Sequence, residues 1–104
     1  MYGTVVHFLP KAGQETAIEE LTRSGVSARG STVPGFLGSY LVKPEANSDE
    51  WLGLVIFDSA SNYRKNAADP EQDRWYRRFR EALTADPVWI DGDILAMEPA
   101  AVPL

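Results

Sequence analysis

Residues 51–57, Trp-Leu-Gly-Leu-Val-Ile-Phe, contain no polar side chain. In a strand, alternate side chains point to opposite faces, so Trp51, Val55 and Phe57 would lie on one face and Leu52, Leu54 and Ile56 on the other. Both faces of such a strand have to be covered. Residues 2–9 repeat the pattern, with Tyr2, Thr4, Val6 and Phe8 alternating with Gly3, Val5, His7 and Leu9, and the run stops at Pro10, which cannot donate to a sheet ladder. An antiparallel sheet with one solvated face should show polar residues there. In these two segments both faces are substantially apolar.

The remaining segments predict how the first face is covered. From Gln14 the period changes: Ala17, Ile18, Leu21 and Gly25 fall at helical spacing, with Glu19 and Arg23 four apart on the outer side. Ser24-Gly25 offers a C-terminal cap, and a weaker helical pattern runs on through Val26 and Ala28 to Gly30 and the Val33-Pro34-Gly35 breaker. Residues 36–43 read as a second strand ended by Pro44, and the polar stretch 44–50 suits a hairpin loop to the third strand, 51–57. Ser59 or Ser61 then opens a short helix carrying Tyr63. Asp69-Pro70-Glu71-Gln72 restarts it with an acidic N-cap, proline at the first helical position and glutamine three residues after the cap. Gln72, Trp75, Tyr76, Phe79 and Leu83 share one largely aromatic and apolar face of it, while Arg74, Arg77, Arg78 and Arg80 are mostly a solvated face balanced by Asp69, Glu71 and Asp73. Asp86-Pro87 ends the helix and residues 89–97 read as a fourth strand.

The order β-α-β-β-α-β predicts an α+β fold of the ferredoxin-like kind, a four-stranded antiparallel sheet with the helices on one face. With 104 residues the chain makes one domain, expected over 1–98 with a tail at 99–104. The helices cover one face only, so the other requires a second copy of the chain, a long loop or the tail. A homodimer packed sheet against sheet is the expectation. The absence of cysteine removes disulfides, thiolate metal sites and thiol nucleophiles. A formal net charge of −5 disfavours nucleic acid. The longest apolar run falls far short of the roughly 20 residues that span a bilayer. With the first basic residue at Lys11, no charged signal region is legible, and the expected location is cytoplasmic.

Several short motifs, in this order and spacing, carry a resemblance: Val33-Pro34-Gly35-Phe36-Leu37-Gly38-Ser39, Trp51-Leu52-Gly53-Leu54-Val55, Phe57-Asp58-Ser59 leading to Tyr63, Ala68-Asp69-Pro70-Glu71, and Trp75. Together they resemble the antibiotic-biosynthesis-monooxygenase-like family of dimeric α+β barrels, over nearly the whole chain. The resemblance implies a homodimer whose two sheets share a barrel and whose subunits each hold a pocket between sheet and helices. It does not imply one reaction, because relatives include cofactor-free monooxygenases that oxidise polycyclic phenols to quinones, haem-degrading enzymes and isomerases. The haem-degrading branch requires an axial His in the second helical region and an Asn in the first strand. Residues 59–84 contain no His and residues 2–9 no Asn.

A cofactor-free oxygenase needs a dry, aromatic-walled pocket with a few polar groups that bind a phenolate. On residue type, His7, Asn62, Tyr63 and Trp75 are the candidate catalytic residues, orienting and deprotonating a small aromatic or polyketide-like substrate with no bound cofactor and no metal. Tyr76, Arg78 and Phe79 are the candidate substrate-binding residues, Arg78 as an anion partner. Each has a plainer reading: His7, the only histidine, as a hydrogen-bonded core or interface residue, and Trp75, Tyr76 and Phe79 as the buried stripe of a helix. Asp91 and Asp93 project to one side of a strand about 7 Å apart. They suit either a weak metal or acid-base pair or exposed carboxylates at a strand start. The alternative function is a non-catalytic dimeric protein that binds a ligand or serves as a structural accessory.

Overall fold

The structure, a computed structural model, describes residues 1–29, 32–46 and 49–98. Seven elements follow in the expected order: β1 (Tyr2–Phe8), α1 (Glu15–Arg29), β2 (Phe36–Val42), β3 (Trp51–Phe57), α2 (Ala60–Ala67), α3 (Pro70–Glu81) and β4 (Val88–Asp93). The strands form one antiparallel sheet in the order β2-β3-β1-β4, so the two strands that are apolar on both faces lie at its centre. The expected tail at 99–104 and Gly30 lie outside the described residues.

Register assigns the faces. Phe8 pairs with Trp51, Val6 with Gly53 and Trp89, Thr4 with Val55 and Asp91, and Tyr2 with Phe57 and Asp93, so these residues share the face that the helices cover. Val6, Phe8, Trp51, Ile18, Phe79, Ala82 and Leu83 form the core there. Phe79 meets Phe8 edge-on with ring centroids 5.0 Å apart, and the end of α3 is tied to the end of β1 through Lys11 N–H to Ala82 O (2.8 Å) and Thr84 N–H to Leu9 O (2.9 Å). The opposite face stays open in the single chain. Tyr40, Val88 and Ile90 on it are 63%, 60% and 55% exposed, and Val5 and Val42 are exposed beside them.

Of the two ends expected for α1 the longer is found, since the helix runs through Gly25 to Arg29; a side chain at Gly25 would sit 3.0 Å from Trp75 Nε1, so glycine there lets the indole lie against the helix. Two local readings change. Ala17 is exposed, and the buried contact of α1 falls to Ile18, with Leu21 half-buried. The fourth strand ends at Asp93 rather than reaching residue 97. Its partner β1 starts at Tyr2, and the last rung is Ile94 N–H to Met1 O at 2.9 Å, so Leu95 and Met97 extend past the pairing, with Leu95 94% exposed.

The start of α3 matches its signature: the Asp69 carboxylate accepts from the Glu71 N–H at 2.8 Å and Pro70 occupies the first turn. Arg74 pairs with Glu71, Arg77 with Asp73 and Arg80 with Asp86, all at the surface, where such pairs add little stability. The turn into β2 rests on Gly35, whose φ is +76°. Its carbonyl accepts from the Asp58 N–H at 2.8 Å, and a Cβ there would lie 2.6 Å from Asn62 Nδ2 and overlap the Asp58 carboxylate. Gly35→Ala is therefore expected to lower stability by at least about 1 kcal/mol, read as a lower urea midpoint at unchanged slope.

Candidate functional site

Between the helices and the sheet lies a partly enclosed cavity of about 130 Å³. Its floor is the helix-covered side of the sheet, with Val6, Leu41, Gly53 and Val55 contributing. Gly53 is the reason the floor is low: a Cβ there would come 2.7 Å from Val6 Cγ1. A glycine within an otherwise apolar strand signals such a close approach. The wall is α3, whose three- and four-residue spacing turns Gln72, Trp75 and Phe79 to the same side.

Trp75 is fixed from three directions. Its ring stacks on Phe79 (centroids 5.2 Å, 19° between planes), its Nε1–H donates to Leu21 O at 3.3 Å, and its edge lies against Gly25. The polar groups of the lining are amides and hydroxyls, principally Asn66, Gln72, Thr22 and Ser39. Asn66 Nδ2 donates to Gln72 Oε1 at 3.4 Å, and the Thr22 hydroxyl donates to Ile18 O at 2.9 Å. No charged side chain lines the cavity among the described residues.

The residues singled out from the sequence do not assemble into one site. Trp75 and Phe79 line the cavity. Tyr76 turns toward β4 and packs on Trp89, which lines the cavity at 6.2 Å between centroids. Arg78, one turn on from Trp75, is exposed to solvent and does not line the cavity. His7 lies on the open face of the sheet, because Phe8 and Val6 on either side of it point to the helices. There its Nδ1 is 2.7 Å from Glu50 Oε1, across the sheet from the cavity.

Asn62 holds the entry to α2, donating from Nδ2 to Asp58 Oδ1 at 2.9 Å, a bond that lowers the Asp58 pKa from the usual carboxylate range. Tyr63 packs between Tyr2 and Phe57 (centroids 5.2 and 5.6 Å) and donates its hydroxyl to Asp91 Oδ1 at 3.0 Å. It touches Phe57, which lines the cavity, without reaching the lining itself. Asp91 and Asp93 share the helix side of β4, with Asp91 engaged by that phenol. No group of three or more His, Asp or Glu side chains suited to a metal ion gathers among the described residues.

The sequence reading missed Gly53, Ser39, Leu41, Asn66 and Gln72 as lining groups. Gly53 carried the one local signal, a glycine in an apolar strand; the others depend on cross-strand register and on the approach of α2 to α3.

A ferredoxin-like α+β domain with an apolar, aromatic-walled cavity under its helices defines the class. The family model for antibiotic biosynthesis monooxygenases matches residues 1–78, and the chain belongs to that family. Among solved structures it is similar to SnoaB, a cofactor-independent oxygenase from Streptomyces nogalater (TM-score 0.77, 14% identity, 95% of this chain and 97% of that one). It is also similar to Rv0793 from Mycobacterium tuberculosis (TM-score 0.75, 14% identity, 94% and 98%). A third likeness is to a Nitrosomonas europaea protein of unknown function (TM-score 0.74, 15% identity, 96% and 94%). These likenesses establish the fold. No curated protein matches in sequence.

Burial first, and then the Asp91 carboxylate, pushes the Tyr63 phenol up to about 12 from 10. A raised pKa in the folded state favours the protonated phenol, so its contribution to stability is fully present below pH 10 and is lost as pH rises from 10 towards 12. In a spectrophotometric titration of the four tyrosines, the last to ionise is expected to be missing in Tyr63→Phe and to ionise earlier in Asp91→Asn.

Proposed function

We propose that this chain is a cofactor-independent monooxygenase-like enzyme that acts as a homodimer and takes a small aromatic or polyketide-like substrate into the cavity between helices and sheet. The observation that carries this reading is the cavity itself: Trp75, Phe79, Phe36 and Trp89 supply aromatic walls, with the Asn66 and Gln72 amides among the polar groups. Membership of the family and the likeness of fold to an oxygenase that works without cofactor support it.

In such chemistry the substrate supplies the electrons. An aryl methylene and O₂ become an aryl ketone and water, the substrate carbon losing two C–H bonds and gaining C=O. The chain's contribution is to hold the ring out of water, where a hydrogen bond to its oxygen counts for more, and to orient the carbon that meets O₂. No charged side chain lines the cavity among the described residues, so the lining holds no carboxylate, imidazole or amine to act as a ready base for the substrate's proton. That same lack favours the second reading, a non-catalytic dimeric binding or accessory protein.

The dimer rests on the open face. Tyr40, Val42, Val5, Val88 and Ile90 form a contiguous apolar surface, which a second copy would cover by symmetry. His7 and Glu50 would then lie at the interface rather than at the reacting centre.

Oxygen consumption with a panel of hydroquinones and anthrones tests the enzyme reading. Turnover is expected to fall at least tenfold in Trp75→Ala, on the order of 1.4 kcal/mol or more, and to be retained in His7→Ala. No consumption with any member supports the binding reading. Sedimentation equilibrium is expected to give twice the 11.5 kDa chain mass, falling toward the single-chain mass in Ile90→Asp.

A further inference from the structure

We infer that the cavity selects an uncharged molecule built on a single aromatic ring and excludes both ionised rings of the same size and fused three-ring skeletons. This rests on the reading of the same cavity as the ligand site and narrows its ligand class. Size is the first ground. At about 130 Å³ the cavity is slightly smaller than an engineered apolar cavity of about 150 Å³ that takes up benzene. One ring fills it.

The second ground is that the walls are held. The Trp75 ring cannot swing aside without breaking its Nε1–H bond to Leu21 O and its stack on Phe79. Trp89 of β4 meets Tyr76 of α3 with ring centroids 6.2 Å apart. Val6 and Gly53 are already in close approach at the floor. A fused three-ring molecule would have to displace a wall or stand mostly outside.

Charge is the third. The lining offers amides, hydroxyls and an apolar majority, with no charged side chain among the described residues. Phenolic or carbonyl oxygen matches such groups, whereas a carboxylate would be buried without a counter-charge and lose its hydration. The arginines of α3 do not rescue it: Arg74, Arg77 and Arg80 are paired at the surface, and Arg78 is exposed to solvent outside the lining.

Three probes separate these grounds: p-cresol (neutral, one ring), benzoate (ionised, one ring) and anthrone (neutral, three rings). Titrated into the full chain at neutral pH by calorimetry and by tryptophan fluorescence, p-cresol is expected to bind at least tenfold more tightly than either of the others. Trp75→Leu, which removes one wall, is expected to weaken p-cresol and to raise anthrone binding; Leu95→Ser, at a position 94% exposed past the end of β4 and outside the cavity lining, is expected to leave the ranking unchanged and checks that any loss is local. Benzoate or anthrone binding as tightly as p-cresol overturns the inference, and so does the absence of p-cresol binding. The enzyme reading is read separately, from oxygen uptake. Tight binding and turnover of anthrone would keep the enzyme and overturn the single-ring selectivity, whereas selective p-cresol binding without oxygen uptake by any phenol would keep the selectivity and overturn the enzyme.

Discussion

The two-residue period of β1, placed next to both β3 and β4, governs the rest of the molecule. It sends Val6 and Phe8 under the helices and turns Val5 and His7 to the other side, and the antiparallel register extends that division to Gly53, Trp89 and Leu41 on one face and to Leu54, Ile90 and Tyr40 on the other. Shifting β1 by a single residue would exchange the two faces. Every functional argument depends on which face a residue shares, because one face holds the cavity and the other is left uncovered by the single chain.

The cavity results from small residues set opposite large ones. Gly53 leaves room above the floor, and Gly25 lets Trp75 lie against α1. Trp75 and Phe79 then stand as a stacked pair above the sheet. A close-packed interior would have filled this space. Leaving it unfilled by side chains gives up dispersion contacts that the rest of the core makes, and the buried cluster of Phe8, Phe79, Ile18 and Leu83 supplies the packing that holds the helices on the sheet.

Much of the fold was legible because its signals are local. The alternation at 51–57, the Asp69-Pro70 helix start and the stripe from Gln72 to Phe79 each determine their element without reference to distant residues, and the family motifs are of the same kind. The cavity was legible only where the helical stripe lines it, at Trp75 and Phe79. His7 and Tyr63 had suitable chemistry, yet their positions are set by pairing and packing: β1 parity carries His7 to Glu50, and Tyr63 is held by Asp91 from a strand 28 residues away. The fourth strand ends at Asp93, short of the expected residue 97, because apolar character continues past Asp93 while the partner strand does not. Periodicity reports what a segment would bury, and the partner decides where the pairing stops.

The central claim is that the helix-covered face receives the ligand while the open face receives another copy of the chain. A crystal structure of the protein soaked with p-bromophenol, with data collected at the bromine edge, tests it most directly. The account predicts an anomalous peak beside Trp75 and above Gly53 in each chain, with the Tyr40 and Ile90 faces of two chains packed together. A peak lodged on the open face, or a cavity left without bromine while that face binds it, would contradict the account.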